Sequence, residues 1–274
     1  MMKILVVSGS RADLGLLHCP TGKLREAGCF EVDWLSNWGL PFAASFTNAL
    51  AMLRERRPEV VLVLGDRYEI LATAIAAHLE RIAIAHIAGG DVTEGSYDDA
   101  MRDSISRMAS IHFTTSFAAT ARLVARGYSN VHLVGNPAVD YIMHETWQRE
   151  REIEGDYVVV SYQPETIDDT VELERVNAAI AGRQAIWISP NPDRGSDRIP
   201  DGVSYSHDRF LNLLYHCECF IGNSSSILYE APFLKPGGVP CHLIGKRQQG
   251  RVIPWSGDGK ASERISDVLR LFPH

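Results

Sequence analysis

The sequence predicts an α/β protein made of two Rossmann-like halves, and three observations carry that expectation. Short apolar runs alternate with helical patterns from one end of the chain to the other, as parallel sheets covered by helices require. Several of these runs pass directly into glycine, the punctuation expected where a strand turns toward a helix. A polar stretch at residues 147–156, WQREREIEGD, interrupts the alternation and reads as a linker. It divides the chain into domains at 1–150 and 151–274.

In the first half, strands are expected at residues 3–8, 31–35, 59–64, 82–87, 111–115 and 131–134, where aliphatic and β-branched residues cluster. Helices are expected at 49–56, 68–80, 97–110 and 117–126, with residues 138–152 forming a helix that leads out of the unit. The second half opens with the strand YVVVSY at Tyr157, followed by strands at 185–189, 219–221 and 241–244. Its helices are expected at 168–181, 208–217, 226–234 and 261–271. There is no internal repeat and no low-complexity tract. Two doubly wound halves predict a ligand cleft at the carboxyl ends of their strands.

The net charge of −7 argues against general binding to nucleic acid or to an anionic membrane. No apolar run approaches the ~20 residues that cross a bilayer. The opening MMKILVVSGS reads as a strand entering a glycine turn rather than a signal peptide. Five cysteines without framework spacing point to a reducing compartment, and so to the cytoplasm. Cys217 and Cys219, beside His216, read as a helix end running into a buried strand, and no metal site is expected.

Five segments place chemistry-bearing residues at strand ends, and each has an ordinary structural reading beside the functional one. Gly9-Ser10-Arg11-Ala12-Asp13 offers amides, a hydroxyl and a guanidinium to a diphosphate, or is a plain turn. Gly65-Asp66-Arg67-Tyr68-Glu69 places an acid and a base at a strand end, or is a helix cap with a surface ion pair. His86-Ile87-Ala88-Gly89-Gly90-Asp91 leads through Glu94 to Asp98 and Arg102, which share a helix face four residues apart. That pair suits a positioned base and a charge stabiliser, or is an i,i+4 salt bridge. Gly222-Asn223-Ser224-Ser225-Ser226 opens a helix with hydroxyls and free amides, and Glu230 follows one turn later. This is a phosphate cradle with a ribose acceptor, or a serine-capped helix. Gly245-Lys246-Arg247 through Arg251 is a basic turn suited to an anion or simply to solvent.

Taken together, GSRADLG, GDRYEILATAIAA, AHIAGGDVTEGSYDDAMRDSISRMA, VGNPAVD, GNSSSILYEAP and IGKRQQGR resemble, in that order, the hydrolysing UDP-N-acetylglucosamine 2-epimerases of the sialic-acid-pathway type. The similarity spans residues 3–251, in a chain shorter than its relatives. It implies a fold like the B-type glycosyltransferases, with a nucleotide-binding second domain and an interdomain site. It also implies release of UDP and N-acetylmannosamine, or a related sugar, through elimination and hydration without a nicotinamide cofactor. The UDP-sugar is the implied ligand, and a homodimer or larger assembly the implied state. By this resemblance Arg11, Arg247, Ser224 and Ser225 hold the diphosphate and Glu230 the ribose. Asp66, Asp98 and Arg102 surround the sugar as candidate catalytic groups, and Asp91 or Glu94 is the candidate substitute for the acid missing at Ala88. Ser10, Arg67 and His86 line the first domain's side, while Asn191, Asp193 and Ser196 shape the second's. Two positions depart from the pattern: Ala88 stands where the family carries Glu or His, and Gln163 where it carries a functional His. Neither side chain transfers protons at neutral pH. A glycosyl transferase on the same scaffold, or a UDP-sugar-binding protein without catalysis, therefore remain as alternatives.

Overall fold

A computed structural model describes residues 1–93, 96–144, 147, 149–249 and 258–272, and for Arg11 the backbone only. The described chain divides into two compact units. The first holds β1 (Met2–Ser8), α1 (Arg11–Glu26), β2 (Phe30–Ser36), α2 (Phe42–Arg56), β3 (Val60–Leu64), α3 (Tyr68–Leu79) and β4 (Ala83–Ile87). It continues with α4 (Asp98–Met108), β5 (Ile111–Thr114), α5 (Phe117–Ala125), β6 (Val131–Leu133) and α6 (Pro137–His144). The second holds β7 (Tyr157–Ser161), α7 (Leu173–Ile180), β8 (Gln184–Trp187), α8 (His207–His216), β9 (Cys219–Gly222), α9 (Ser226–Tyr229) and β10 (Cys241–Leu243). The last helix, α10 (Ala261–Arg270), belongs to the first unit.

The first sheet is parallel, with strand order β2-β1-β3-β4-β5-β6. Successive side chains on a strand point to opposite faces. Ile4, Val6, Leu62 and Phe113 accordingly pack in one core with Leu17 and Leu24 of α1, while Leu5, Val7, Val61 and Val63 pack in another with Leu53 and Ile70. Burial on both faces explains why β3 is wholly apolar, VVLVL. The second sheet, also parallel, has the order β10-β9-β7-β8.

The division expected at residues 150/151 differs from the observed one at the C-terminus. Ile265 and Leu269 of α10 sit in the first unit's core beside Leu17 and Leu24. The buried carboxylate of Asp140 accepts hydrogen bonds from Ala261 N (3.1 Å) and Ser262 N (2.6 Å), capping α10 from a distant part of the sequence. The expected linker is also not free. Asn212 Nδ2 donates to Glu150 O at 2.7 Å, His216 Nε2 lies 2.8 Å from Arg149 O, and Trp147 is buried against Tyr215.

Some helix bounds shift for identifiable reasons. α2 begins at Phe42, seven residues before the expected start, because its inward positions open with the polar Ser45 before Ala49 and Leu53. α6 ends at His144, not at residue 152. α7 starts late: Asp168 Oδ1 accepts from Thr170 N at 3.0 Å, and Asp169 takes a left-handed φ of 56°. α9 is a single turn, because Pro232 cannot extend a helix and disfavours helical geometry at Ala231. Cys217 caps α8 and Cys219 opens β9, as the sequence suggests, and burial pushes the Cys217 thiol up to about 12.

Candidate functional site

In the first unit, the chemistry gathers at the carboxyl ends of β1, β3, β4 and β5. Arg102, in the second turn of α4, is only 3% exposed. Its guanidinium donates to Asp66 and Asp99 and, at 2.8 Å, to Asp91 O. Asp66, Asp91 and Arg102 thus meet although they lie far apart in sequence. Asp91 also accepts from Thr115 Oγ1, at 3.3 Å to its nearer oxygen. Asp98 opens α4, half-buried, one residue before Asp99. Sequence reasoning missed Asp99 and Thr115; the i,i+3 spacing of Asp99 to Arg102 was the available signal.

The turn that leads to these groups is tightly built. Ala88 has a left-handed φ of 65°, and its N–H donates to Phe113 O at 2.9 Å. A Cβ on Gly90, whose φ is 80°, would lie 2.6 Å from Ala119 O, so only glycine fits there. Arg122 Nη1 donates to Gly90 O at 2.5 Å and fixes the turn from the other side. His86 is fully buried, with Nε2 2.8 Å from Gly65 O and Nδ1 3.0 Å from Ser106 Oγ. The carbonyl can only accept, so Nε2 carries the proton and Nδ1 accepts from the hydroxyl. Burial lowers its pKa to about 4, so the ring is neutral. His86 therefore ties β4 to the turn that carries Asp66, and both its ring nitrogens are spent inside the protein.

Two other first-unit segments have partners within the chain. The Gly9 and Ser10 amides, read as donors for a diphosphate, both donate to Asp13 Oδ2, at 2.8 and 2.9 Å. The Ser10 hydroxyl donates to Asp13 Oδ1 at 2.7 Å and caps α1. Burial raises the Asp13 carboxyl above its ordinary value, while Ser10 and the Gly9 amide pull it the other way. The Ser-x-x-Asp spacing was the legible sign of this capping box. Arg67 is bound bidentately to the fully buried Glu69, at 3.1 and 3.2 Å. The Arg11 side chain lies outside the described residues, as do Glu94 and Arg251.

In the second unit, four strand ends are joined by carboxamides and one carboxylate. Asn223, after β9, accepts from Gln163 N at 2.7 Å and returns a bond to Gln163 O at 2.8 Å. Gln163 Oε1, after β7, accepts from Asn191 N, beyond β8, at 2.9 Å. Gln248, beyond β10, donates to Asn223 O at 3.2 Å. Asn191 O accepts from Asp193 N, and Asp193 O accepts from Ser196 N, so these three expected residues form one self-bonded loop.

Glu165, which the sequence did not single out, organises the basic turn. It is 1% exposed, and its Oε1 accepts from Lys246 N (2.7 Å) and Arg247 N (3.3 Å). Arg247 Nη1 donates to Pro164 O at 3.2 Å. Gly245, with φ 87°, is required here, because a Cβ would lie 2.3 Å from Glu165 Oε1. An acid two residues beyond Gln163, facing a basic segment, was the signal.

Ser224 and Ser225 stand between β9 and the single turn of α9. Ser224 Oγ accepts from Ser226 N at 3.3 Å, and Ser225 is exposed. Glu230 lies just past that turn instead of inside a longer helix, with Oε1 2.6 Å from His207 Nε2. Burial pushes its carboxyl up, but His207 and the Ser226 hydroxyl outweigh this and hold it below its ordinary value. Among the described residues no group of His, Cys, Asp and Glu could hold a metal ion, and no helix is long and apolar enough to cross a membrane.

A family model described as UDP-N-acetylglucosamine 2-epimerase matches residues 42–256. The polysialic acid biosynthesis protein P7 of Escherichia coli is 28% identical over 320 residues, which cover 92% of this chain and 81% of that protein. A UDP-N-acetylglucosamine 2-epimerase of Neisseria meningitidis serogroup B is 30% identical over 245 residues, covering 78% of this chain and 63% of that enzyme. The match thus spans less than two thirds of that relative. Among solved structures, the N. meningitidis enzyme bound to UDP-GlcNAc aligns with a TM-score of 0.76 at 16% identity, covering 99% of this chain and all of that one. The Methanocaldococcus jannaschii enzyme in complex with UDP-GlcNAc and UDP gives 0.75 at 19% identity and covers 99% of this chain. At such identity these structures establish the fold.

Proposed function

Since the chain belongs to the UDP-N-acetylglucosamine 2-epimerase family, we propose that it binds a UDP-sugar and acts on it as a hydrolysing 2-epimerase. The observation that carries the reading is the buried Arg102, which gathers Asp66, Asp99 and the Asp91 carbonyl at one strand edge. In this chemistry a base removes the proton at C2 of the sugar while the anomeric C–O bond breaks and UDP leaves. The product is a 1,2-unsaturated sugar. Water then adds at C1, and a proton returns to C2 on the opposite face.

Asp66 and Asp98 are the proposed proton-handling groups, with Asp91 beside them. Arg102 stabilises charge that develops as the leaving group departs. In the second unit, Arg247, Ser224 and Ser225 are assigned to the diphosphate and Glu230 to the ribose. Asn191, Asp193 and Ser196 are assigned to the shape of the subsite. The proposal includes a cytoplasmic location and a homodimer or larger assembly, which light scattering measures directly. Neither a metal nor a nicotinamide takes part in these steps.

The test is incubation with UDP-N-acetylglucosamine, following UDP by a coupled assay and the sugar by chromatography. Release of UDP with N-acetylmannosamine is expected, and Asp98→Asn removes it. Ala88, whose methyl carries no proton and which stands where the resemblance implies an acid or a histidine, favours one second reading: a binding protein without turnover. Tight UDP binding with no breakdown of any UDP-hexose sinks the enzyme reading and leaves that one.

A further inference from the structure

We propose that Gln163 is a ligand-binding residue of the second unit, donating a hydrogen bond from its Nε2 to an acceptor oxygen of the nucleotide sugar. The inference rests on the nucleotide-sugar reading above and adds to it a residue and a direction of hydrogen bonding.

Gln163 is 7% exposed, and its backbone is held on both sides by Asn223. Its side chain is held once: Oε1 accepts from Asn191 N at 2.9 Å. A backbone N–H can only donate, so it fixes which end of the amide is oxygen. The –NH2 group must face the other way. It has no partner among the described residues, yet it is not one of the side-chain atoms shut away from solvent. A side chain more than nine-tenths buried, locked at one end and carrying two unspent donors at the other, is poised for an acceptor that arrives from outside.

Its position tells which acceptors are in reach. Gln163 follows β7, and its direct hydrogen-bond partners lie at the strand ends that carry Asn191 and Ser224-Ser225. The next two residues, Pro164 and Glu165, hold Arg247 and its turn. Oxygens in each part of a nucleotide sugar fit the chemistry: the uracil and ribose of the nucleoside, the diphosphate, and the hexose with its acetamido carbonyl. All are acceptors. An imidazole at this position changes charge near neutral pH, whereas the carboxamide donates at every pH. Gln163 therefore acts in recognition and moves no proton.

The test is calorimetric titration of the parent, Gln163→Glu and Gln163→Met with uridine, UDP and UDP-N-acetylglucosamine. Titrations with the last are run in the Asp98→Asn background to remove turnover. In Gln163→Glu one carboxylate oxygen still accepts from Asn191 N, and the other places an acceptor where the donor stood. Affinity for the ligand that carries the acceptor falls at least tenfold, and Gln163→Met loses roughly three- to tenfold. A loss that first appears between uridine and UDP assigns the diphosphate. A loss already present with uridine assigns the nucleoside, and one confined to UDP-N-acetylglucosamine assigns the hexose with its acetamido group. A merely structural role would lower the thermal midpoint together with the affinities, whereas a contact to ligand leaves the midpoint of the unliganded variants at the parental value. Parental affinities for all three ligands in either folded variant overturn the proposal. If the parent binds none of the three, the nucleotide-sugar reading itself fails, and this proposal with it.

Discussion

Lowering the pH should destabilise the first unit through His86, and the size of the effect follows from its surroundings. The ring is fully buried, with both nitrogens engaged by Gly65 O and Ser106 Oγ. Burial lowers its pKa from 6.5 to about 4. The folded state thus binds a proton more weakly than the unfolded chain. Between pH 6.5 and 4 the unfolded state holds more protons, so stability rises with pH there. The contribution is fully present above about pH 6.5 and is lost as the pH falls toward 4. A shift of about 2.5 units corresponds to roughly 3 kcal/mol. The assay is urea unfolding at several pH values from 7.5 to 4.5, for the parent and for His86→Gln. The carboxylates titrate in both proteins and cancel in the difference; His112, whose pKa burial also lowers to about 4, adds to the lowering at His86 and so contributes to the gap near the acid end. The variant is less stable at pH 7.5, having lost a fitted ring, and the gap narrows by 2–3 kcal/mol on acidification (roughly one proton's linkage over that range). If the two stability curves run parallel across the range, the buried neutral imidazole is not what sets the acid sensitivity.

Three further outcomes are expected. Arg102→Ala leaves Asp66 and Asp99 without their shared cation and should lower turnover at least a hundredfold while changing UDP affinity less than threefold; steady-state rates and calorimetry together check this. Arg247→Ala should weaken UDP binding ten- to a hundredfold, and Glu165→Ala about tenfold by releasing the Lys246 and Arg247 amides; unchanged affinity in both means the anion does not bind at this turn. Asp140→Ala removes the carboxylate that caps α10 and should cost about 1–2 kcal/mol in urea unfolding, without altering UDP affinity.

The alternation of apolar runs with helical patterns determined the two-sheet α/β architecture from sequence alone, because a strand buried on both faces must be apolar throughout. VVLVL in β3 and YVVVS in β7 could belong to little else. Local chemistry was equally legible where partners are near in sequence: the Ser10–Asp13 cap obeys a short spacing rule. The motif order was enough to point to the family.

Tertiary structure alone decided which charges meet. Arg102 reaches Asp66 because α4 and the end of β3 converge on one sheet edge, and no spacing rule spans thirty-six residues. It also reassigned α10, since an amphipathic helix does not record whose core it covers; Asp140 and Leu17 settle that. Donor occupancy was the least legible property. The Gly9 and Ser10 amides look free in sequence and are taken by Asp13, while Gln163 looks like an inert substitution and keeps a fixed donor unspent. A hydrogen bond depends on distances of a few tenths of an ångström between groups that only the folded chain brings together.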